Sequence, residues 1–595
     1  MTRSFPIPAT LFALSCVAAM TLGLVYFSHD IDVAGSTNPL RLMFNLAGDA
    51  AVVMLPYWFI PPRYRWSALV PVALLSLWCV MSVWYHRFWG DILGVESLMF
   101  AGNINGLLVN SVAGVCRLSD MVYLLPVAVT LGCYLKSAGR IKASPYGTLP
   151  RVVATVATLL LFGLGQLSRS SANIKYLKSV GLYDGRGIAG ITADRLTQYA
   201  LNHYYFSVNG IVLYAGMSVH NAVELHDRHI ELTDEERARI SRFMSSTPHT
   251  DNGAYEANKR KNVILIMVES LNAGVIHAEV GGMPVAPTLM SLTDDTLSVA
   301  ALEVVTQVRQ GGSGDGQLMT NTGLLPLSRS STAILYGGAN RFHTLVDALD
   351  RKESCVIFAD DGKSWNEYNT FVGYGFDRVH TSLDYAGISG LDEGDEAMFA
   401  MADSVIDTLG RPFFLELLTV SMHVPFRTET LPRHTDRMDA DATLPQVKRN
   451  YYKTVSYFDR CLSSFIDSLR RKGLWDDTLL FIVSDHSQDL TEGDTSLGLQ
   501  DVPMAFVTVN SGKGCRVDRV VGQIDVYPTI LDLAGVGRDA EWNGVGVSML
   551  DPTLTSAYLP EHGFFGDTTA CAHAERQRQA YDVSRLVIKG DWFGR

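Results

Sequence analysis

The chain has 595 residues and a formal net charge of −12. A chain of this length exceeds what one hydrophobic core supports, so at least two structural units are expected. The negative charge, together with the absence of a clustered basic stretch, excludes nucleic acid as the main partner. The eight cysteines show no CxxC or zinc-type spacing, so they predict neither a cysteine metal site nor a disulfide framework beyond one or two bridges.

Five apolar stretches before residue 170 are candidate membrane spans. Each approaches the roughly 20 residues that cross a bilayer, although the last two are short and need flanking residues. A cleaved signal peptide is the alternative for the first stretch, but its apolar run is too long and no small-residue cleavage site follows it. The stretches are residues 7–27, 42–60, 67–85, 121–135 and 152–167.

Positively charged residues concentrate in alternate loops of this region, which is the pattern of cytoplasmic loops in membrane proteins. Acidic residues such as Asp30 and Glu96 dominate the opposite loops. The pattern predicts a multi-pass protein with a cytoplasmic N-terminus, and it places the chain after residue 167 outside the cytoplasm. The basic residues are Arg3, Arg63, Arg65, Lys136, Arg140, Lys142 and Arg151.

The segment after the last span predicts a connector. Thr233 and Glu236 have the spacing of a helix capping box. Residues 245–258 are rich in Ser, Thr, Asn and Gly, as exposed linkers are. We therefore expect a transmembrane domain with five helices at 1–168, a helical connector and linker at 169–260, and a catalytic domain at 261–595.

Short apolar runs alternate with amphipathic stretches beyond residue 261. Such runs are typical of buried parallel strands, and the helical pattern at 459–472 supplies the βαβ rhythm of a sheet covered on both faces. The predicted fold class is a five-helix transmembrane bundle followed by an α/β domain with a mainly parallel central sheet. The expected strands are residues 262–268, 355–359, 412–420, 478–483 and 503–509.

Residues capable of chemistry stand close to these strands, at the ends where sites of α/β sheets gather. Glu269 follows the first strand, Asp485 and His486 follow the strand that begins at residue 478, and Ser313 lies in a Gly-rich loop. Each alone has an ordinary explanation as a helix cap, a structural pair or a plain loop. Together they offer two carboxylates, an imidazole and a hydroxyl, a ligand set suited to Mn, Mg or Zn.

These motifs resemble the lipoteichoic acid synthase and phosphoglycerol transferase branch of the sulfatase-like alkaline phosphatase superfamily. Residues 268–270 and 286–289 are similar to the first metal motif and its proline-bearing continuation, and residues 311–315 to the nucleophile loop. Residues 484–486 are similar to the second metal motif, and 523–530 to a helix typical of sulfatase-like domains. The resemblance covers nearly the whole chain and implies a bacterial inner-membrane protein with an alkaline phosphatase-type domain.

The resemblance implies a role for each residue that matches a motif. Glu269, Ser313, Asp485 and His486 would hold one divalent ion, with Mn expected and Mg or Zn compatible. Ser313 stands where the family commonly has Thr and would be the nucleophile. His423 would be the second catalytic residue.

The same resemblance implies a pocket for a phosphorylated head group, in which Asp360, Trp365 and His423 would contact the substrate. Two expected residues are missing. Met267 and Glu367 stand where the family pattern has His and Arg, and loss of a guanidinium weakens phosphate recognition. The departures leave the exact head group open.

The implied function is metal-dependent transfer of a head group, phosphoglycerol from phosphatidylglycerol being expected. The donor would be a membrane phospholipid, the acceptor an envelope glycan or polymer, and the intermediate a covalent ester on Ser313. Three alternatives stay open: a phosphoethanolamine transferase, a sulfatase-like phosphodiesterase or hydrolase, and a catalytically inactive sensor of lipid head groups. The Glu-Thr opening expected of the first alternative is Glu269-Ser270 here, and no C/S-x-P-x-R motif indicates a sulfatase.

Overall fold

The computed structural model describes most of the chain, and its described residues form two compact units that meet in sequence at residues 226 and 227. The described ranges are residues 7–31, 39–89, 92–95, 116–142, 146–179, 202–226, 229–248, 253–328, 331–385, 394–424, 426–428, 431–490 and 501–594.

The first unit consists of α-helices, and five of its segments are long and apolar enough to cross a membrane. This confirms the expected number of spans. The two stretches that were short in sequence become Leu118–Ile141 and Thr148–Arg169, with 24 and 22 residues. The helices are α1 Ile7–Asp30, α2 Pro39–Met54, α3 Leu69–Trp89, α4 Leu125–Lys142, α5 Thr148–Ser179 and α6 Asn202–His226.

The outward faces of these helices are apolar. Leu159, Leu160 and Leu164 of α5 each keep more than half of their surface exposed, which suits contact with lipid rather than water. Between helices, Gly48 of α2 comes so close to α5 that an added Cβ would lie 2.9 Å from the Cα of Phe162. Small residues at such crossings are typical of membrane helices, so surface and packing agree with the span lengths.

The second unit is organised around one nine-stranded sheet. The strands of the unit are β1 Asn262–Val268, β2 Glu279–Val280, β3 Met283–Pro284, β4 Val299–Val305, β5 Glu353–Phe358, β6 Arg378–His380, β7 Phe413–Leu418, β8 Thr478–Ser484, β9 Met504–Val509, β10 Cys515–Val517, β11 Val521–Gly522, β12 Ser556–Leu559 and β13 Gly563–Gly566. The order in the large sheet is β10, β4, β9, β8, β1, β7, β5, β6, with β11 paired to β4. The two short hairpins β2–β3 and β12–β13 lie outside it.

All pairings in the large sheet are parallel except those of β9, which runs antiparallel to both β8 and β4. The prediction of a parallel strand at 503–509 is therefore wrong in direction. All six residues of β9 are buried, and a continuous apolar run reports burial of both faces but not strand direction. The mainly parallel character of the sheet is confirmed.

Helices cover the sheet, and one of them starts at the predicted capping box. Thr233 Oγ1 accepts from the backbone N–H of Glu236, and Glu236 Oε2 accepts from that of Thr233 at 2.9 Å. The predicted helix at 459–472 is part of a longer one. The helices are α7 Asp234–Ser245, α8 Pro287–Asp294, α9 Ser313–Thr322, α10 Leu345–Leu349, α11 Glu367–Gly373, α12 Ser382–Tyr385, α13 Asp395–Ile406, α14 Gln446–Arg471, α15 Val526–Leu533 and α16 Ala574–Gly590.

Candidate active site

The centre of the site is the carboxyl end of the neighbouring parallel strands β1 and β8. Their register pairs Val268 with Ser484, so Glu269 and Asp485 leave the sheet side by side. Ser270 adopts a positive φ of 53° and donates its backbone N–H to Asp485 Oδ1 at 2.8 Å. This turn ties the end of one strand to the side chain that follows the other.

Glu269, Asp485 and His486 form a group whose ligand atoms all lie within 4.8 Å of one another. His486 Nδ1 donates to the carbonyl of Ser487 at 2.9 Å, which leaves Nε2 as the nitrogen with a lone pair. Nε2 lies 3.6 Å from Glu269 Oε1 and 3.7 Å from Asp485 Oδ2. Three convergent electron-pair donors of hard and borderline type fit a divalent ion.

The electrostatics of the group also favour a bound cation. Burial and the charge of Glu269 raise the pKa of Asp485 to about 7. Burial opposes ionisation of Glu269, but the charges of His423 and His486, together with hydrogen bonds from Ser270 and Asp485, hold its pKa below the usual value. Burial likewise disfavours the charged form of His486, yet Asp485 and Glu269 raise its pKa. One bound divalent ion would supply positive charge that stabilises the ionised carboxylates of Glu269 and Asp485.

Ser313 joins this group. Its hydroxyl donates to Glu269 Oε2 at 3.2 Å and lies 3.4 Å from His486 Nε2. The expectation that Ser313 lies in a loop is wrong, because Ser313 is the first residue of α9, and it is only 8% exposed. The sequence did not reveal the helix because glycines, poor helix formers, surround Ser313. The N-terminus of a ten-residue helix attracts anions such as phosphate.

Glycines let α9 pack closely against the group of Glu269, Asp485 and His486. Gly312 precedes the helix with a φ of 48°, a left-handed conformation that favours glycine. A Cβ at Gly316 would collide with the carbonyl oxygen of Asp485. Asp315 fixes the same loop, since its Oδ2 accepts the backbone N–H groups of Arg309 at 2.9 Å and Gly311 at 3.0 Å.

The residues expected to contact the head group lie around the same group. Trp365 packs on α9, where an added Cβ at Gly314 would lie 3.0 Å from Trp365 Cβ. His423 interacts electrostatically with both Glu269 and Asp360, and its Nδ1 donates to the carbonyl of Val424 at 2.8 Å. Burial raises the pKa of Asp360 to about 6.

The two departures from the family pattern differ in their surroundings. Met267 lies inside β1 and is 2% exposed, as a core residue of the sheet. Glu367 is also buried, but it is polar and accepts a hydrogen bond from Gln317 Nε2 at 2.5 Å. Burial and the charge of Asp360 raise the pKa of Glu367 well above its usual value.

Several supporting residues were missed by sequence reasoning. Thr419 Oγ1 accepts the backbone N–H of Glu269 at 2.9 Å, and Gln523 Nε2 donates to the carbonyl of Asp485 at 2.5 Å. Gln523 begins a motif that was recognised, so a signal existed for it. Thr419 and Gln317 carry no local signal, because their contacts cross 150 and 50 residues of sequence.

Comparison with known proteins assigns both parts of the chain. A profile described as the lipoteichoic acid synthase N-terminal domain matches residues 2–181, and a sulfatase profile matches residues 261–536. The lipoteichoic acid synthase of Staphylococcus aureus is 24% identical over 559 residues, which are 89% of this chain and 82% of that protein. The chain has the domain architecture of the lipoteichoic acid synthase family and is a distant relative of that enzyme. At the level of the family it is a lipoteichoic acid synthase-like enzyme with a sulfatase domain.

A solved structure of another protein shares the fold of this lipoteichoic acid synthase relative. The lipooligosaccharide phosphoethanolamine transferase A from Neisseria meningitidis superposes with a TM-score of 0.54 at 14% identity, over 88% of this chain and 95% of that one. The lipoteichoic acid synthase LtaP from Listeria monocytogenes gives a TM-score of 0.49 at 17% identity, over 59% and 98%. The first comparison confirms the predicted fold class, five apolar helices followed by a mixed, mostly parallel α/β domain.

Proposed function

We propose that this enzyme transfers phosphoglycerol from phosphatidylglycerol in the membrane to an envelope glycan or polymer. The observation that carries the proposal is the position of Ser313, whose hydroxyl contacts both Glu269 and His486 at the start of α9. A nucleophilic hydroxyl for phosphoryl transfer must be activated and must sit where the phosphoryl charge is stabilised. The helix N-terminus and the adjacent carboxylate and imidazole meet both needs.

Four residues would hold one divalent ion: Glu269, Ser313, Asp485 and His486. Mn is the first candidate, and Mg and Zn are compatible with the same ligands. When bound, the ion would neutralise charge on the phosphoryl oxygens and lower the pKa of the serine hydroxyl.

In the first half of the reaction, Ser313 Oγ forms a bond to phosphorus while its proton passes to Glu269 Oε2, which accepts it across 3.2 Å. The bond between phosphorus and the diacylglycerol oxygen breaks, and the electron pair leaves with that oxygen. His423 donates a proton to it from Nε2, because Nδ1 is held by the carbonyl of Val424. Diacylglycerol departs as a neutral alcohol.

In the second half, a hydroxyl of the acceptor attacks the phosphoserine ester. Its proton passes to His423, and the bond between phosphorus and Ser313 Oγ breaks. Glu269 returns its proton to Ser313, so both residues recover their initial state. The roles of His423 as acid and then base follow from microscopic reversibility.

Phosphoethanolamine is a second candidate head group, and one observation favours it. The half-buried carboxyl of Asp360 and the buried carboxyl of Glu367 interact electrostatically. An ammonium group would balance their charge, whereas neutral glycerol would only hydrogen-bond to them.

The test is to trap the ester on the full-length enzyme with labelled phosphatidylglycerol and no acceptor, followed by mass spectrometry of the peptide that contains Ser313. Wild type should accumulate head-group mass, Ser313→Ala should accumulate none, and Ser313→Thr should keep part of the activity. Ser298→Ala, a change at another buried serine outside the site, is the matched control. An unmodified peptide together with full transfer by Ser313→Ala would establish direct displacement and refute the covalent mechanism.

A further inference from the structure

The acidic side chain of Glu367 lies beside the nucleophile helix, which is α9 with Ser313 at its start. Glu367 opens α11, is 6% exposed, and accepts a hydrogen bond at Oε1 from Gln317 Nε2. Gln317 stands four residues after Ser313 on α9, so the two side chains share one face of that helix. The contact therefore links the nucleophile helix to the segment that carries Trp365.

The turn that delivers Glu367 to this position is strained. Trp365 and Asn366 have φ values of 51° and 59°, two consecutive left-handed residues that are not glycine. Backbone hydrogen bonds impose the turn, from Asn366 to Lys363 at 3.1 Å and from Tyr368 to Gly362 at 3.0 Å. Strain of this kind clusters at ligand-binding sites, where the surroundings over-determine it.

Gln317 leaves one atom without a partner. Its side chain is 4% exposed, and its Oε1 makes no hydrogen bond within the part of the chain that the structure describes. Amide geometry fixes Oε1 next to Nε2, and hence next to the Glu367 carboxylate. A buried acceptor without a donor is costly, so the contact between Gln317 and Glu367 is complementary to a group that brings hydrogens.

The charges nearby have the same sign. Asp360, Glu269 and Asp485 all act on Glu367 and, after burial itself, raise its pKa. One divalent ion would compensate Glu269 and Asp485, and the imidazole of His423 acts on Asp360, whereas the charged groups that raise the pKa of Glu367 are all carboxylates. An anionic group would be repelled here, whereas a neutral or positive hydrogen-bond donor would be stabilised.

We propose that Glu367 and Gln317 form a specificity subsite that binds the far end of the donor head group through its O–H or N–H hydrogens. This rests on the proposed function, since it concerns the substrate of the same site. Glycerol and ethanolamine supply such hydrogens, choline supplies none, and the carboxylate of serine carries the wrong charge. Glu367 is thus the residue that selects the class of donor lipid.

The experiment measures diacylglycerol release by the full-length enzyme in mixed micelles of one phospholipid at a time. The lipids carry glycerol, ethanolamine, choline or serine head groups. Wild type should use glycerol or ethanolamine lipids with a kcat/KM at least about tenfold above choline and serine lipids. Glu367→Ala should reduce this ratio to within about twofold of unity, mainly through KM. Glu396→Gln, a change at an exposed acid of α13, should keep the wild-type ratio.

Glu367→Gln separates the two head groups, because it removes the charge and keeps an acceptor oxygen. A loss of about tenfold or more in kcat/KM indicates that an ammonium pairs with the carboxylate, and a loss of at most threefold indicates hydroxyl groups. Wild-type selectivity in Glu367→Ala would overturn the subsite while leaving the transferase intact. Absence of transfer from every lipid by wild type would refute the proposed function, and the subsite with it.

Discussion

His486 directs Nε2 towards the carboxylates of Glu269 and Asp485, an arrangement that predicts metal dependence. Chelation should abolish head-group transfer, and Mn or Mg should restore it, because Glu269 and Asp485 repel one another when no cation is present. Asp485→Ala and His486→Ala should fold and remain inactive. His573→Ala is the matched control, since His573 pairs with Asp551 at 2.9 Å elsewhere in the same unit. Full activity in either site variant would remove the assigned metal centre.

Glu416 in the middle of β7 predicts a pH-dependent stability. It is fully buried, with Asn321 Nδ2 donating to Oε1 at 3.0 Å, and burial raises its pKa from 4.5 to about 8. Below pH 4.5 the carboxyl is neutral in both folded and unfolded states. As pH rises from 4.5 to 8, only the unfolded state ionises, so the free energy of unfolding falls by up to ~5 kcal/mol and then levels off.

Glu416→Gln should flatten that decline, which thermal unfolding of the full chain in detergent at pH 5 and pH 8 would measure. The exposed Glu396→Gln variant should keep the wild-type difference. An unchanged pH dependence in Glu416→Gln would show that other groups cause it.

At the same scale, the sequence predicted the residues that follow strands and missed those that support them. Glu269, Asp485 and His486 were predictable because a strand end positions them whatever the rest of the fold does. Gln317 and Thr419 were not, because their roles come from partners on segments that only folding brings together. The roles given to Asp360, Trp365 and His423 stay predictions.

Among the elements, the helices α2, α5 and α6 meet at a buried ion pair. Asp49 of α2 pairs with Arg169 of α5, and both are buried. The carbonyl of Asn209 accepts from Gln166 Nε2 at 3.0 Å, and Gly210 follows with a φ of 77°. Each side chain neutralises the charge of the other, and an unpaired charge inside a membrane unit would be costly.

Asp49→Ala should destabilise the membrane unit by about 3 to 5 kcal/mol, because it leaves Arg169 buried without a counter-charge. Adding Arg169→Met should restore most of that loss, since an apolar side chain needs no partner. The measurement is the thermal unfolding midpoint in detergent. Asp30→Ala, which breaks a pair that is partly open to solvent, should cost less. A double variant as unstable as Asp49→Ala alone would contradict the argument.

The type of an element was easier to predict than the direction of a strand or the residue at which a helix begins. The five spans and the five expected strands all exist, because length and hydrophobicity dictate them. The antiparallel β9 and the helical start at Ser313 were not visible, because neither strand direction nor a Gly-rich helix N-terminus leaves a periodic signal.

For the whole molecule, the orientation in the membrane decides which pool of lipid the active site meets. Basic residues occupy the loops before the first span, between the second and third, and between the fourth and fifth. Short loops rich in Lys and Arg stay on the cytoplasmic side of the membrane. This arrangement therefore predicts an extracytoplasmic catalytic domain at 261–595, joined through 169–260 to the membrane domain at 1–168.

A membrane-impermeant maleimide applied to spheroplasts tests the orientation. The experiment needs a background without the exposed or partly exposed cysteines, because all eight cysteines are free and Cys116, Cys133, Cys515 and Cys571 are at least partly exposed. In that background Ser245→Cys, at the exposed end of α7, should react from outside, and Arg140→Cys, at the exposed end of α4, should react only after the membrane is permeabilised. Both positions are exposed, so the difference reports the side of the membrane rather than burial. Labelling of Arg140→Cys alone in sealed spheroplasts would invert the orientation, and the active site would then face cytoplasmic lipid instead of the envelope polymer that the proposed function requires.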